Sequence, residues 1–318
     1  MSYTLNTPIL FLIFNRPDTT KSVFNQIRRI KPKYLYVAAD GPREHVPNEK
    51  EKTDATREII NQVDWDCNVV TLFREKNLGC KYAVSSGISW FFSQVEEGII
   101  LEDDCLPDLS FFRFCEELLE KYRSNKSITF ISGNCFLKEP VNGNDSYYFS
   151  KYPHIWGWAS WRRVWELYDV EMADYNNNLF ETSILPSLNS KSEEQYWKKV
   201  FESTSAGEKN TWDYQITYAI WKNKGISITP AKNLVINLGF QNNSTHFFLE
   251  DSYKSGLKLE SIEFPLVHPA KVEINKKADN YTFENTFSHS LSRLLRLFRE
   301  NSIPHIFSYV IRKIRKKV

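Results

Sequence analysis

The chain has 318 residues, 42% hydrophobic and 25% charged, a balance that fits an ordinary globular protein and excludes a disordered, collagen-like or polytopic membrane chain. With 41 Lys and Arg against 39 Asp and Glu, the formal net charge of +2 gives no ground for a nucleic-acid partner. The total conceals a division, since residues 289–318 hold eight basic side chains and one acid, net +7, and residues 1–288 hold 33 basic and 38 acidic ones, net −5.

The apolar run Pro8–Phe14 is too short to span a bilayer, has no basic segment before it and leads straight into Asn15-Arg16-Pro17. It predicts a buried strand rather than a signal peptide. From there to residue 136, short apolar runs alternate with amphipathic segments, the pattern of parallel strands joined by crossover helices. Strands are predicted at 8–14, 34–39, 68–73, 98–102 and 128–132, with helices at 18–30, 48–63, 81–97 and 109–123. The third helix is expected to bury Val84, Ile88, Phe91 and Val95 and to stop at Gly98. This makes residues 1–136 a Rossmann-like half, in which ligands bind beyond the carboxyl ends of the strands. Those ends are polar or charged: Asn15-Arg16-Pro17-Asp18, Asp40-Gly41-Pro42-Arg43, Arg74 to Gly79, and Glu102-Asp103-Asp104. No GxGxxG follows the first strand and no GxxxxGK[ST] occurs, which disfavours dinucleotides and P-loop chemistry.

From residue 137 to 288 aromatic residues dominate, and seven of the nine tryptophans fall between 156 and 221. Such side chains suit the apolar faces of sugar rings, and they equally build cores by area burial. A helix is predicted at 214–223 and an apolar strand at 234–238. The five cysteines (Cys67, Cys80, Cys105, Cys115, Cys135) are odd in number and lack CxxC spacing, so reduced thiols are expected rather than a disulfide framework or structural zinc.

The triplet Glu102-Asp103-Asp104, at the mouth of an apolar strand, sets three carboxylates against one another. A hard cation, Mn²⁺ or Mg²⁺, would relieve this, taking one or two carboxylates and filling its other positions with water and substrate phosphates. The competing reading is a solvated acidic turn, with Asp108 as N-cap of the next helix.

The strand, the triplet and the Pro107-Asp108-Leu109-Ser110-Phe111-Phe112 segment after it resemble the metal-binding motif of the N-acetylglucosaminyltransferase I family and of related bacterial sugar transferases. Phe14-Asn15-Arg16-Pro17, Asp40-Gly41, Asn77-Leu78-Gly79, Trp156-Gly157-Trp158 with Trp165, and Trp212-Asp213 agree in order, over roughly residues 8 to 247. The resemblance implies a GT-A fold, an α/β architecture with a Rossmann-like nucleotide-sugar-binding half (1–136) and an acceptor-binding and catalytic half (137–288). It implies Asp104 as direct metal ligand, Asp103 near the ribose, Glu102 facing the donor sugar, Asp40 at the uracil or ribose, and Arg16 at the diphosphate. Arg74 and Lys81 are further phosphate candidates by charge and position.

Asp213 occupies the family's catalytic-base position, and its flanking aromatics Trp212 and Tyr214 would raise its basicity. Read without the resemblance, it caps the helix that follows. Trp156, Trp158 and Trp212 are the sugar-stacking candidates. The Gly/Asn/Ser-rich run Gly239–His246 reads as a loop closing over the donor, with His246 as a possible contact to metal or phosphate.

Residues 303–314 place Ile303, Ile306, Phe307, Val310, Ile311 and Ile314 on one helical stripe, and the cations of 289–318 would make this tail a ligand for an anionic membrane surface. The alternative is a helix pair packed on the protein. The function expected is an inverting, metal-dependent, UDP-sugar-using glycosyltransferase of the hexosyl or N-acetylhexosaminyl type. It would serve a glycan or lipid-linked acceptor in bacterial surface-polysaccharide assembly, in the cytoplasm and peripheral to the inner membrane face. A sugar nucleotidyltransferase and a non-catalytic membrane-associated glycan-binding protein are the alternatives.

Overall fold

The computed structural model describes residues 5–138, 143–240 and 256–288. His246 and the basic tail 289–318 lie outside the described residues.

Strand β1 (Ile9–Ile13) is buried at every position, as a strand with helices on both faces must be. Helix α1 (Pro17–Ile30) starts with proline at its first turn, where no backbone donor is missed, and ends on Lys31 in the left-handed conformation. There follow β2 (Tyr34–Ala39), α2 (Glu49–Glu58, extended by a 3₁₀ turn, Ile59–Gln62), β3 (Asn68–Phe73), α3 (Gly79–Gln94) and β4 (Glu97–Glu102). Gly98 does not stop α3, which ends at Gln94. It lies inside β4, where an added Cβ would sit 2.3 Å from the Phe91 ring. Short β5 (Cys105–Pro107) leads to α4 (Leu109–Tyr122), whose N-cap is Asp108, its carboxylate accepting from the Ser110 N–H as anticipated.

The second half contributes β6 (Ile128–Ser132), β7 (Tyr147–Ser150), β8 (Trp158–Trp161), the short helices α5 (Arg162–Trp165) and α6 (Asn177–Leu179), then α7 (Lys191–Ser205) and α8 (Asp213–Lys222). Strands β9 (Ile226–Pro230) and β10 (Val235–Asn237) and helix α9 (Lys276–Thr282) complete the described elements. The eight-stranded sheet has the order β3-β2-β1-β4-β8-β6-β9-β7, and β10 pairs with β5 in a separate two-stranded ladder. Strands β1 to β4 are parallel, while β8 runs antiparallel to both its neighbours. This mixed α/β architecture with a parallel, Rossmann-like half is the α/β class expected from the sequence.

Successive strands leave β1 on one side to form β2 and β3, then the chain crosses back to place β4 on the other side of β1. The crevice beyond β1 and β4 is therefore the topological switch point, where a doubly wound sheet offers room for a ligand. Arg16 follows β1 there, and Glu102 to Asp104 close β4.

The aromatic run of the second half is mostly core. Trp158 is 1% exposed on the central strand β8 and stacks on Phe130 at 4.7 Å and Trp212 at 6.0 Å. Trp212 is itself buried, so neither Trp158 nor Trp212 presents a face to a sugar.

Candidate functional site

A cavity of about 380 Å³ opens at the switch point, lined among others by Arg16, Asp40, Arg74, Glu102, Asp103 and Asn210. Arg16 spans the acidic triplet. Its two terminal nitrogens reach Asp103 Oδ1 and Asp104 Oδ2, each at 2.7 Å, and the Phe14 N–H donates to Asp103 Oδ2 at 3.1 Å. Burial opposes the charge on Arg16, but Asp103 and Asp104 outweigh it and hold the guanidinium above its ordinary value.

One guanidinium does not satisfy three carboxylates. Desolvation, reinforced by Asp104 and Asp103, pushes Glu102 up to about 8. Desolvation also pushes Asp103 up to about 7 against the attraction of Arg16. The cluster therefore lacks positive charge. Asp104 keeps Oδ1 for a further partner, since its hydrogen bond there is a weak one from the Cys105 thiol at 3.5 Å. A hard divalent cation fits this donor set. Among the described residues no three His, Cys, Asp or Glu side chains are grouped so that they could hold a metal ion by themselves.

Local backbone geometry brings these groups together. The Leu238 N–H donates to the Asp104 carbonyl at 2.7 Å, and Gly239 lies so close that a Cβ there would be 3.1 Å from Asp104 Oδ2. Gly41 is required by contact, because its Cβ would sit 2.4 Å from the Lys76 carbonyl carbon.

The other predicted residues divide. Asp40 lines the cavity, but its carboxylate is taken up by the N–H groups of Gly41, Leu78 and Gly79 and by Asn77 Nδ2, so it fixes the start of α3 rather than facing a base. Arg74 lines the cavity and donates to Ser86 Oγ at 2.8 Å. Lys81 is buried outside that lining, its ammonium 2.7 Å from Glu171, and is not among the groups the cavity gathers.

Asp213 opens α8 and belongs to the wall of a second cavity, of about 530 Å³, together with Trp156, Tyr196 and Tyr214. The N-cap residue of that helix is Trp212, which makes no side-chain capping hydrogen bond. Thr211 Oγ1 donates to Asp213 Oδ1. Asp213 is nonetheless close enough to the first cavity to raise both Glu102 and Cys80, the latter pushed up to about 11 chiefly by desolvation and Glu102. Lys209, on the wall of the second cavity, is followed in the chain by Asn210, on the wall of the first, so the two cavities are neighbours. Of the three tryptophans expected to stack on sugars, Trp156 alone lines a cavity.

Sequence reading missed Lys199, Ser203, Lys209 and Asn210. A signal existed for the first two, since Tyr196, Lys199 and Ser203 recur at i, i+3 and i+7 on one face of α7.

No protein-family model and no curated protein matches the chain. Three solved structures similar in fold are HddC from Yersinia pseudotuberculosis, a UTP-bound UGPase from Acinetobacter baumannii and mouse xyloside xylosyltransferase 1. HddC is 11% identical over 57% of this chain and 87% of its own, with a TM-score of 0.33. The UGPase is 10% identical over 73% of this chain and 89% of its own, TM-score 0.35. The xylosyltransferase is 9% identical over 85% of this chain and 100% of its own, TM-score 0.37. At such values the likeness concerns the course of the chain, and no residue role is transferred from them.

Proposed function

We propose that the protein is an inverting glycosyltransferase that moves a sugar from a nucleotide-sugar donor, UDP-linked, to a glycan or glycolipid acceptor. The observation behind this reading is a cavity at the switch point lined by Glu102, Asp103 and three arginines, next to a second, aromatic-walled cavity that Asp213 lines. Two neighbouring cavities suit a two-substrate transfer in which donor and acceptor meet at one carboxylate.

In this reading the donor lies in the first cavity. Arg16 and Arg74 face its diphosphate, Asp103 its ribose and Glu102 its sugar, while Asp40 holds the loop that shapes the floor. Mn²⁺ or Mg²⁺ at Asp104 would neutralise charge on the departing diphosphate. Asp213 takes the proton of the acceptor hydroxyl as that oxygen forms a bond to C1 of the sugar. The bond from C1 to the phosphate oxygen breaks on the opposite face, and its electron pair leaves with the nucleoside diphosphate.

Two variants test this. Asp213→Asn is expected to bind UDP as the parent does and to lose sugar transfer by about 10²-fold or more, the scale of general-base catalysis. Asp104→Ala is expected to lose both transfer and the metal dependence of UDP binding. Full transfer by Asp213→Asn in a radiolabelled-sugar assay removes Asp213 as the base.

A further inference from the structure

The second cavity differs in charge from the first. Its wall holds two ammonium groups, Lys199 and Lys209, and one carboxylate, Asp213. Among the described residues neither lysine forms an ion pair, whereas in the first cavity Arg16 is held by Asp103. Lys199 lies one turn beyond Tyr196 on α7, and the Lys209 ammonium lies 5.5 Å from the centre of the Tyr214 ring. Trp156, on the same wall, packs against Phe136 at 5.4 Å and Phe240 at 5.3 Å. The volume of about 530 Å³ falls in the range of small-ligand sites, roughly 300–1,000 Å³.

Aromatic faces with polar neighbours accept sugar rings, and unpaired ammonium groups in a half-enclosed site accept anions. We propose that this cavity is the acceptor site and that it selects a sugar bearing an anionic group, a phosphate or a carboxylate, read by Lys199 and Lys209. Asp213 lies on the same wall and repels that anion, so the acceptor is oriented with its charge toward the lysines and an uncharged hydroxyl toward the carboxylate. The assignment rests on the transferase reading for its role and on the wall chemistry for its ligand.

The test uses the full chain without nucleotide or metal, and three matched probes: glucose, glucose 1-phosphate and glucuronate, titrated by ligand-observed NMR. At least one anionic probe is expected to bind tenfold or more tighter than glucose. The Lys199→Gln/Lys209→Gln variant should abolish that preference and the Lys199→Arg/Lys209→Arg variant should keep it. Preference for the phosphate or for the glucuronate then identifies the source of the anion. Equal binding of all three, no binding of either anionic probe, or a preference that survives in the Gln variant overturns the proposal. UDP binding with Mn²⁺, measured on the same Gln variant, separates the two readings. If UDP binds while the anion preference is missing in the parent, only the acceptor assignment falls; if the preference holds and UDP does not bind, only the transferase reading falls.

Discussion

Arg16 joins the ends of β1 and β4, and its two nitrogens occupy oxygens of both Asp103 and Asp104. With the Arg16 side chain 46% exposed and the two carboxylates at 3% and 13%, solvent screens one partner of each pair and not the other. Truncation would leave two buried acids beside Glu102 without their counter-charge, a loss discounted for screening to about 2 kcal/mol. Arg16→Gln should therefore lower the melting temperature in metal-free buffer, and millimolar Mn²⁺ should restore more stability to the variant than it adds to the parent. Equal metal effects in the two proteins would mean that Arg16 and a cation do not serve the same charge deficit. The arginine and the triplet were legible in the sequence, because the end of an apolar strand in an α/β unit is where a ligand sits. Lys199 and Lys209 were not, because α7 and the turn after it bring them to the cavity wall from a segment without strand ends or motif.

Secondary elements are held around the site by two different kinds of ion pair, one with a half-exposed arginine and one buried on both sides. Glu49, buried at the start of α2, accepts from the Arg43 side chain and backbone and from Asn15 Nδ2, and these bonds hold its carboxyl down to about 2 from an ordinary 4.5. A depressed folded-state value contributes stability that is present above the ordinary value and is lost as pH falls through the lower one. Between pH 4.5 and 2 the parent should lose stability more steeply than Glu49→Gln, as followed by urea midpoints across that interval. Parallel slopes would show that the Glu49 hydrogen bonds do not differ between the folded and unfolded states. Farther from the switch point, Lys151 at the end of β7 pairs with Glu193 of α7 at 2.7 Å, their side chains 3% and 2% exposed. Glu193→Ala leaves a buried ammonium without its partner and should cost about 3–5 kcal/mol in chemical denaturation. A loss under about 1 kcal/mol would show that Lys151 reaches water instead.

The elements of the first half matched their predicted ranges within a few residues, and for β1, β2 and β4 the reason is near-continuous burial, which leaves an unambiguous apolar run. Strand β8 was not legible as a strand, since Trp-Ala-Ser-Trp offers the same residues a sugar platform would use. The packing decides between them: β8 lies between β4 and β6, with Trp158 stacked on Phe130.

On the scale of the molecule, a net charge of +2 is an average over unlike parts. The cavity at the switch point is lined by three acids and three arginines, and the one that Asp213 lines holds two lysines beside that single carboxylate, so the second has the more positive wall. No helix among the described residues is long and apolar enough to cross a membrane, and the tail whose cations dominate the total lies outside them. The central claim, that the cavity at the switch point takes a nucleotide-sugar together with a divalent cation, is most directly tested by thermal unfolding of the full chain with a panel of nucleotide sugars, with and without Mn²⁺. A ligand present at 100 times its dissociation constant adds about 2.7 kcal/mol to the folded state. The account predicts that at least one UDP-sugar raises the melting temperature only when Mn²⁺ is present, and that Asp104→Ala abolishes the rise; a panel without any metal-dependent shift, or an undiminished shift in Asp104→Ala, would contradict it.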